Sequence, residues 1–190
     1  MKLAHEVCKE LAGSLYDKLV QSKENAMAHL FDADHNVRKA AFYICDSVWK
    51  CSADIDFVNA CRIIGVTDPD ESVRVHAIGS YGKALQSSQD PAASQFLADL
   101  VKDRRISSGV REAAYWALRE IQLGLTEEDN VTQLASLLKI ALSKMSMNMT
   151  EEQVKTTLLS HGRYPESIWD SADKIDWSFV EKYASPKMTR

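Results

Sequence analysis

The chain has 190 residues, 45% of them apolar and 26% charged, with a net charge of −4; that is the balance of one compact soluble domain, long enough to bury about 70% of its unfolded surface. So mild a charge offers no global attraction for DNA or an anionic membrane. No apolar run approaches the ~20 residues that span a bilayer, and the N-terminal MKLAHEVCKELAGSL lacks the apolar core of a signal peptide, so a cytoplasmic protein is expected.

Residues 3 to 20 set Leu3, Val7, Cys8, Leu11, Leu15 and Leu19 at spacings of three and four, which predicts one amphipathic helix covering the end of the fold. A short helix follows over residues 23 to 31, with Ser22 as N-cap and Ala26, Met27 and Leu30 inward. The turn Asp32-Ala33-Asp34-His35-Asn36 leads to a helix over residues 37 to about 50, capped by Asn36, which buries Val37, Ala40, Ala41, Ile44 and Val48. The next helix, residues 54 to 64, presents Val58, Cys61 and Ile64, with Gly65 at its C-cap. Thr67-Asp68-Pro69-Asp70 makes a turn, and Ser72 caps a helix over residues 73 to about 86. Pro91, favoured at a first helical position, opens a helix with Phe96, Leu97, Leu100 and Val101 inward. Ser107 or Ser108 then leads into a helix from 110 to 123, stopped by Gly124.

Three stretches of this run repeat. Val37-Arg38-Lys39-Ala40-Ala41, Val73-Arg74-Val75-His76-Ala77 and Val110-Arg111-Glu112-Ala113-Ala114 have their valines 36 and 37 residues apart, and each opens the second helix of a helix–turn–helix unit. The paired alanines let neighbouring helices approach where a Leu would overpack. Beyond Gly124 the period is lost. A stripe of Val131, Leu134, Leu137, Leu138, Ala141 and Leu142 predicts a helix, and Thr150 with Gln153 forms a capping box for a second carrying Val154, Leu158 and Leu159, which stops at Gly162. Pro165 starts a short helix with Ile168 and Trp169, and Asp176 caps a last one over residues 177 to 184.

Units of this length, with Asp in the turn and Val-Arg-x-x-Ala opening the second helix, resemble HEAT repeats, in particular the short type found in bacterial proteins. The resemblance covers residues 22 to 124. It implies an all-α fold, a right-handed α-solenoid of about three HEAT-like helix pairs with N- and C-terminal capping helices. Residues 1 to 124 are then the solenoid with its N-terminal capping helix, and residues 125 to 190 a C-terminal helical cap of the same domain, because terminal repeats must close the core with a polar outer face. The family includes adaptors, transport factors, chromophore lyases, a metal-dependent hydroxylase and DNA glycosylases, so the fold does not choose an activity.

The repeated Arg38, Arg74 and Arg111 each follow a turn that contains Asp, and the period would stack them into an alternating ladder between units, for which the planar guanidinium fork is suited. The second helices line the concave face of such solenoids. Alignment of the copies puts Tyr43, Gly79 and Trp116 in one column, Phe42, Ile78 and Tyr115 in the column before it, and Asp46, Gly82 and Arg119 three further on. Gly79 and Gly82 each cost a helix about 1 kcal/mol against Ala, so they imply either a notch between Tyr43 and Trp116 or close helix packing.

Tyr43, Asp46, Gly79, Gly82, Trp116 and Arg119 are accordingly read as the binding surface of a protein–protein interaction or adaptor module with a protein partner and no catalytic residue. The alternative is a DNA-repair enzyme resembling the HEAT-like alkylpurine DNA glycosylases, in which Asp46 beside Tyr43 and Trp49 holds a cationic base. Against nucleic acid, residues 37 to 124 carry 11 Lys plus Arg and 11 Asp plus Glu, so no basic stripe is evident. The hydroxylase's paired His-Glu ligands are missing, the one His-Glu being His5-Glu6. Cys8, Cys45, Cys51 and Cys61 lack metal-ligand spacing and are expected to be free and buried, and no cofactor is implied. Met145, Met147 and Met149 alternate as soft ligands for Cu(I) might, but without a neighbouring Cys or His they are read as filling a helix junction.

Overall fold

The computed structural model describes residues 2–125, 132, 150, 153 and 175–185, and among these it is all-helical. The helices are α1 (Lys2–Ala12), α2 (Tyr16–Gln21), α3 (Lys23–Ala28), α4 (His35–Ser47), α5 (Ile55–Thr67), α6 (Glu71–Ala84), α7 (Pro91–Lys102), α8 (Ser108–Leu123) and α9 (Trp177–Glu181). The expected helices at 131–142, after Thr150 and at Pro165, and the Met145, Met147 and Met149 loop, lie outside the described residues, as do the side chains of Leu3 and Val7. Thr150 and Gln153 do make the reciprocal pair of a capping box, Gln153 N–H to Thr150 Oγ1 at 3.2 Å and Thr150 N–H to Gln153 Oε1 at 2.8 Å.

Consecutive helices pair as the period predicts. α3 lies on α4, α5 on α6 and α7 on α8, while α6 also touches α4 and α8, and α1 rests on α4. The repeated valines point into this packing: Val37, Val73 and Val110 are all buried, and the alanines Ala40, Ala41, Ala77 and Ala114 are fully so. Around them Phe42, Phe57, Ile44, Ile78, Leu97, Leu118 and Ile121 fill the core, each burying side-chain surface worth about 1.5–3 kcal/mol. Phe42 of α4 meets Phe57 of α5 with ring centroids 6.1 Å apart. Residues 175–185 close on the far end. Tyr115 Oη accepts from Asp176 N–H, Phe179 stands edge-on to the Tyr115 ring, and Ser185 donates to Asp99 from both its amide and its hydroxyl.

Several local expectations need correcting. The helix expected over residues 3 to 20 breaks at Gly13, where φ is +53° and a 3₁₀ turn, Gly13–Leu15, separates α1 from α2. Glycine adopts that left-handed conformation without the cost a Cβ would impose. α4 is capped by Asp34 and not Asn36, and α6 by Asp70 and not Ser72, the carboxylates accepting from Asn36 and Val73 N–H respectively. α4 stops before Val48, which is 48% exposed and not in the core. Gly65 is no C-cap: α5 runs on to Thr67, and Gly65 is buried where a Cβ would stand 2.5 Å from Ile78 Cδ1. Ser22 and Asp176 cap the starts of their helices, Pro91 opens α7 and Gly124 ends α8 as anticipated, and Asp90, not singled out in the sequence, caps α7 ahead of Pro91.

Candidate functional site

α6 is enclosed by α5, α4 and α8 and keeps one narrow solvent-facing strip. His76, Gly79 and Lys83 lie on it at helical spacing, with Gly79 and Lys83 exposed. A Cβ added at Gly79 would meet nothing within 4 Å, so the backbone there is open to solvent. At Gly82, one face round, the same Cβ would lie 2.5 Å from Ala117 Cβ and 2.6 Å from Ala117 Cα. The two glycines therefore divide the alternatives between them. Gly82 is buried, lets α8 approach α6, and is no part of an exposed face.

On the α4 side Tyr43 and Asp46 border this strip. The Tyr43 ring stands edge-on to His76 at 5.2 Å, and its hydroxyl is 3.3 Å from His76 Nε2. His76 Nδ1 is 2.8 Å from Ser72 O. Since a carbonyl only accepts, the neutral ring carries its proton on Nδ1, which leaves Nε2 to accept from the Tyr43 hydroxyl. Asp46 Oδ2 is 2.7 Å from Lys83 Nζ, an ion pair across α4 and α6. Its partners are 26% and 55% exposed, so it contributes little to stability and more to the pattern of charge.

On the α8 side Trp116 is partly exposed and points its Nε1 toward Glu112 Oε1 at 3.5 Å. The Arg119 guanidinium lies 5.1 Å from the Trp116 ring centre and 5.7 Å from that of Tyr115. Among the described residues its Nη1 is buried without an acceptor. Trp49, assigned with Asp46 to the glycosylase reading, instead turns its Nε1 to Leu19 O at 3.4 Å. Of the six residues expected at the site, Tyr43, Asp46 and Gly79 sit on adjoining strips, Trp116 and Arg119 stack together on α8, and Gly82 is withdrawn. His76, Lys83 and Glu112 were missed, although Gly79 minus three, Gly79 plus four and Trp116 minus four are the neighbours that helical spacing supplies.

The three repeated arginines follow different courses. Arg38 is buried and bidentate on Asp68 of the next turn, Nε to Oδ2 at 2.7 Å and Nη2 to Oδ1 at 2.8 Å, while its Nη1 donates to Asp32 O and Ala33 O. Arg74 repeats only the second half, giving Nη1 to Asp68 O at 2.6 Å and Pro69 O at 3.2 Å. Arg111 donates Nε to Val101 O at 3.1 Å. Among the described residues, Arg38 alone of the three pairs with a carboxylate.

All four cysteines are free and buried, and burial raises the Cys8 thiol to about 11 and those of Cys45 and Cys61 further. Among the described residues no group of His, Cys, Asp and Glu could hold a metal, and no helix is long and apolar enough to cross a membrane. Comparison of the chain with protein-family models, with curated proteins and with solved structures finds no match in any of the three.

Proposed function

We propose that the chain is a HEAT-like repeat module, a short right-handed solenoid of the cytoplasm, that binds a protein partner across the strips of α4, α6 and α8. One observation carries the reading. Gly79 bares the middle helix at an exposed point where a helix former would have stabilised the fold by about 1 kcal/mol, and no neighbour requires its missing side chain. His76 and Lys83 flank it on α6, and Tyr43 and Trp116 hold its position in the aligned copies on α4 and α8, a mixture of aromatic and hydrogen-bonding groups of the kind enriched where proteins meet. The charges alternate in sign, as in Asp46 with Lys83, which suits a protein surface better than a phosphate backbone. For the glycosylase alternative, the Asp46 carboxylate is engaged by Lys83 and Trp49 is turned to Leu19, so no free carboxylate with flanking rings supports it. Four buried free thiols are in keeping with a reducing compartment.

The test is affinity capture from the native organism, with and without nuclease, by the wild-type chain and by Gly79→Leu. A protein that survives nuclease and is lost with Gly79→Leu is the expected outcome. Capture that disappears with nuclease, or that is indifferent to residue 79, contradicts the reading.

A further inference from the structure

The three turns ahead of α4, α6 and α8 align residue by residue on their valines. Five positions before Val37 and Val73 stand Asp32 and Asp68, and three positions before stand Asp34 and Asp70. Before Val110 the same positions hold Arg105 and Ser107. The third turn has exchanged two carboxylates for a cation and a hydroxyl.

The consequence is local and geometric. Asp68 supplies two oxygens to the Nε and Nη2 edge of Arg38. The corresponding edge of Arg74 faces a turn where an arginine replaces that aspartate, and among the described residues no carboxylate meets it. In its place is a cleft of about 190 Å³ lined by Arg74, Arg105, Ser107, Gly65, Val66 and Val110, with Ile106 beside them. Ser107 is the N-cap of the 16-residue α8, yet its side chain makes no capping bond, and its Oγ is buried without a partner. Asp34 and Asp70 both cap their helices. A guanidinium edge and an unsatisfied buried hydroxyl thus line a cleft where the preceding unit has a carboxylate, with the exposed Arg105, whose fork is held by Asp103, also bordering it.

The acids that face this place are spoken for or stand aside. Asp103 is bidentate on Arg105, Nε to Oδ1 at 2.9 Å and Nη2 to Oδ2 at 2.7 Å. Asp70 accepts from Ser72 and Val73 and lies 3.9 Å from Lys39. Glu71 reaches toward Gly109, its Oε1 2.7 Å from where a Cβ there would sit. The residues that line the cleft include Arg74 and Arg105 and no acid, and oxyanions bind guanidinium forks through paired charge-assisted hydrogen bonds.

We infer that the cleft between the second and third units binds a small oxyanion, a carboxylate or a phosphate, whose two oxygens take the place on Arg74 that Asp68 takes on Arg38. Arg105 adds charge and Ser107 Oγ donates a third hydrogen bond. The site lies on the turns, apart from the α4, α6 and α8 strips, and does not depend on the reading proposed for them.

The experiment is isothermal titration of the full chain with inorganic phosphate and, separately, with acetate, each against chloride at matched ionic strength. Two variants accompany it. Arg105→Gln removes charge from a side chain that is 90% exposed, so folding is spared. Arg105→Asp restores the missing rung. Saturable binding of either anion, weakened about tenfold or more in Arg105→Asp and less in Arg105→Gln, is expected, and whichever anion binds identifies the ligand class. Binding of neither anion by the wild type, or wild-type affinity in Arg105→Asp, overturns the inference.

Discussion

Alanine at position 79 and alanine at position 82 are the same chemical change on one helix, three residues apart, and they should move stability in opposite directions. At both positions the helix gains about 0.8–1 kcal/mol from the better helix former. At Gly79 nothing opposes that gain, because the new Cβ meets no atom within 4 Å. At Gly82 the new Cβ would stand 2.5 Å and 2.6 Å from two atoms of Ala117, one of them the backbone Cα, with Glu120 Oε2 at 2.7 Å. A carboxylate can swing aside, but a backbone cannot move without shifting α8, and overpacking of this kind typically costs about 1–3 kcal/mol. Gly79→Ala should therefore raise the melting temperature by about 2–4 °C for a chain of this size. Gly82→Ala should lower it by up to about 8 °C once the helix gain is set against the clash. Paired thermal melts followed by circular dichroism measure both. A Gly79→Ala chain less stable than wild type, or a Gly82→Ala chain as stable as it, would refute the assignment of one glycine to an open face and the other to packing.

The arginines differ enough to be ranked. Arg38→Ala leaves the buried Asp68 with the Asp70 amide but without its counter-ion, at a cost of about 3–5 kcal/mol, whereas Arg74→Ala removes bonds to carbonyls only and should cost about 1–3 kcal/mol; equal denaturation midpoints for the two variants would deny the difference between the two arginines. The Asp70 carboxyl is held down to about 2 from its usual 3.8, chiefly by the Ser72 hydroxyl, so its contribution is complete above about pH 4 and lost as the pH falls through 2. Ser72→Ala should accordingly lose stability near neutral pH and converge on wild type below pH 2, in melts taken across that range; a constant deficit at every pH would exclude the carboxyl as its source.

How far the sequence reaches is clearest at the places where one residue decides. The period of 36 and 37 residues is written in Val37, Val73 and Val110 because their burial recurs with each unit, and the paired alanines mark where helices approach. The break at Gly13 escaped because the apolar stripe from Cys8 to Leu19 runs through it, and a glycine says only that a left-handed φ is affordable. Gly65 carried the mark of a helix end, yet its missing side chain makes room for Ile78 on the partner helix, a requirement that lives in tertiary contact. Gly79 and Gly82 look alike in sequence for the same reason: which of them α8 covers depends on a helix some 35 residues away. The loss of the aspartate pair from the third turn, by contrast, is legible in Arg105 and Ser107 once the turns are aligned five and three residues before each valine. His76 and Lys83 followed from Gly79 by helical spacing and needed only to be looked for.

The claim that the strip around Gly79 meets a protein partner is tested most directly by cross-linking from that residue. Because the four native thiols are buried, a photoreactive maleimide placed on Gly79→Cys reports from one position, and Asn59→Cys on the exposed side of α5 serves as control. The account predicts that residue 79 cross-links, in nuclease-treated extract, to the same protein that wild type captures and Gly79→Leu loses, while residue 59 does not. Cross-links from residue 59 and none from residue 79, or cross-links to nucleic acid alone, would contradict it.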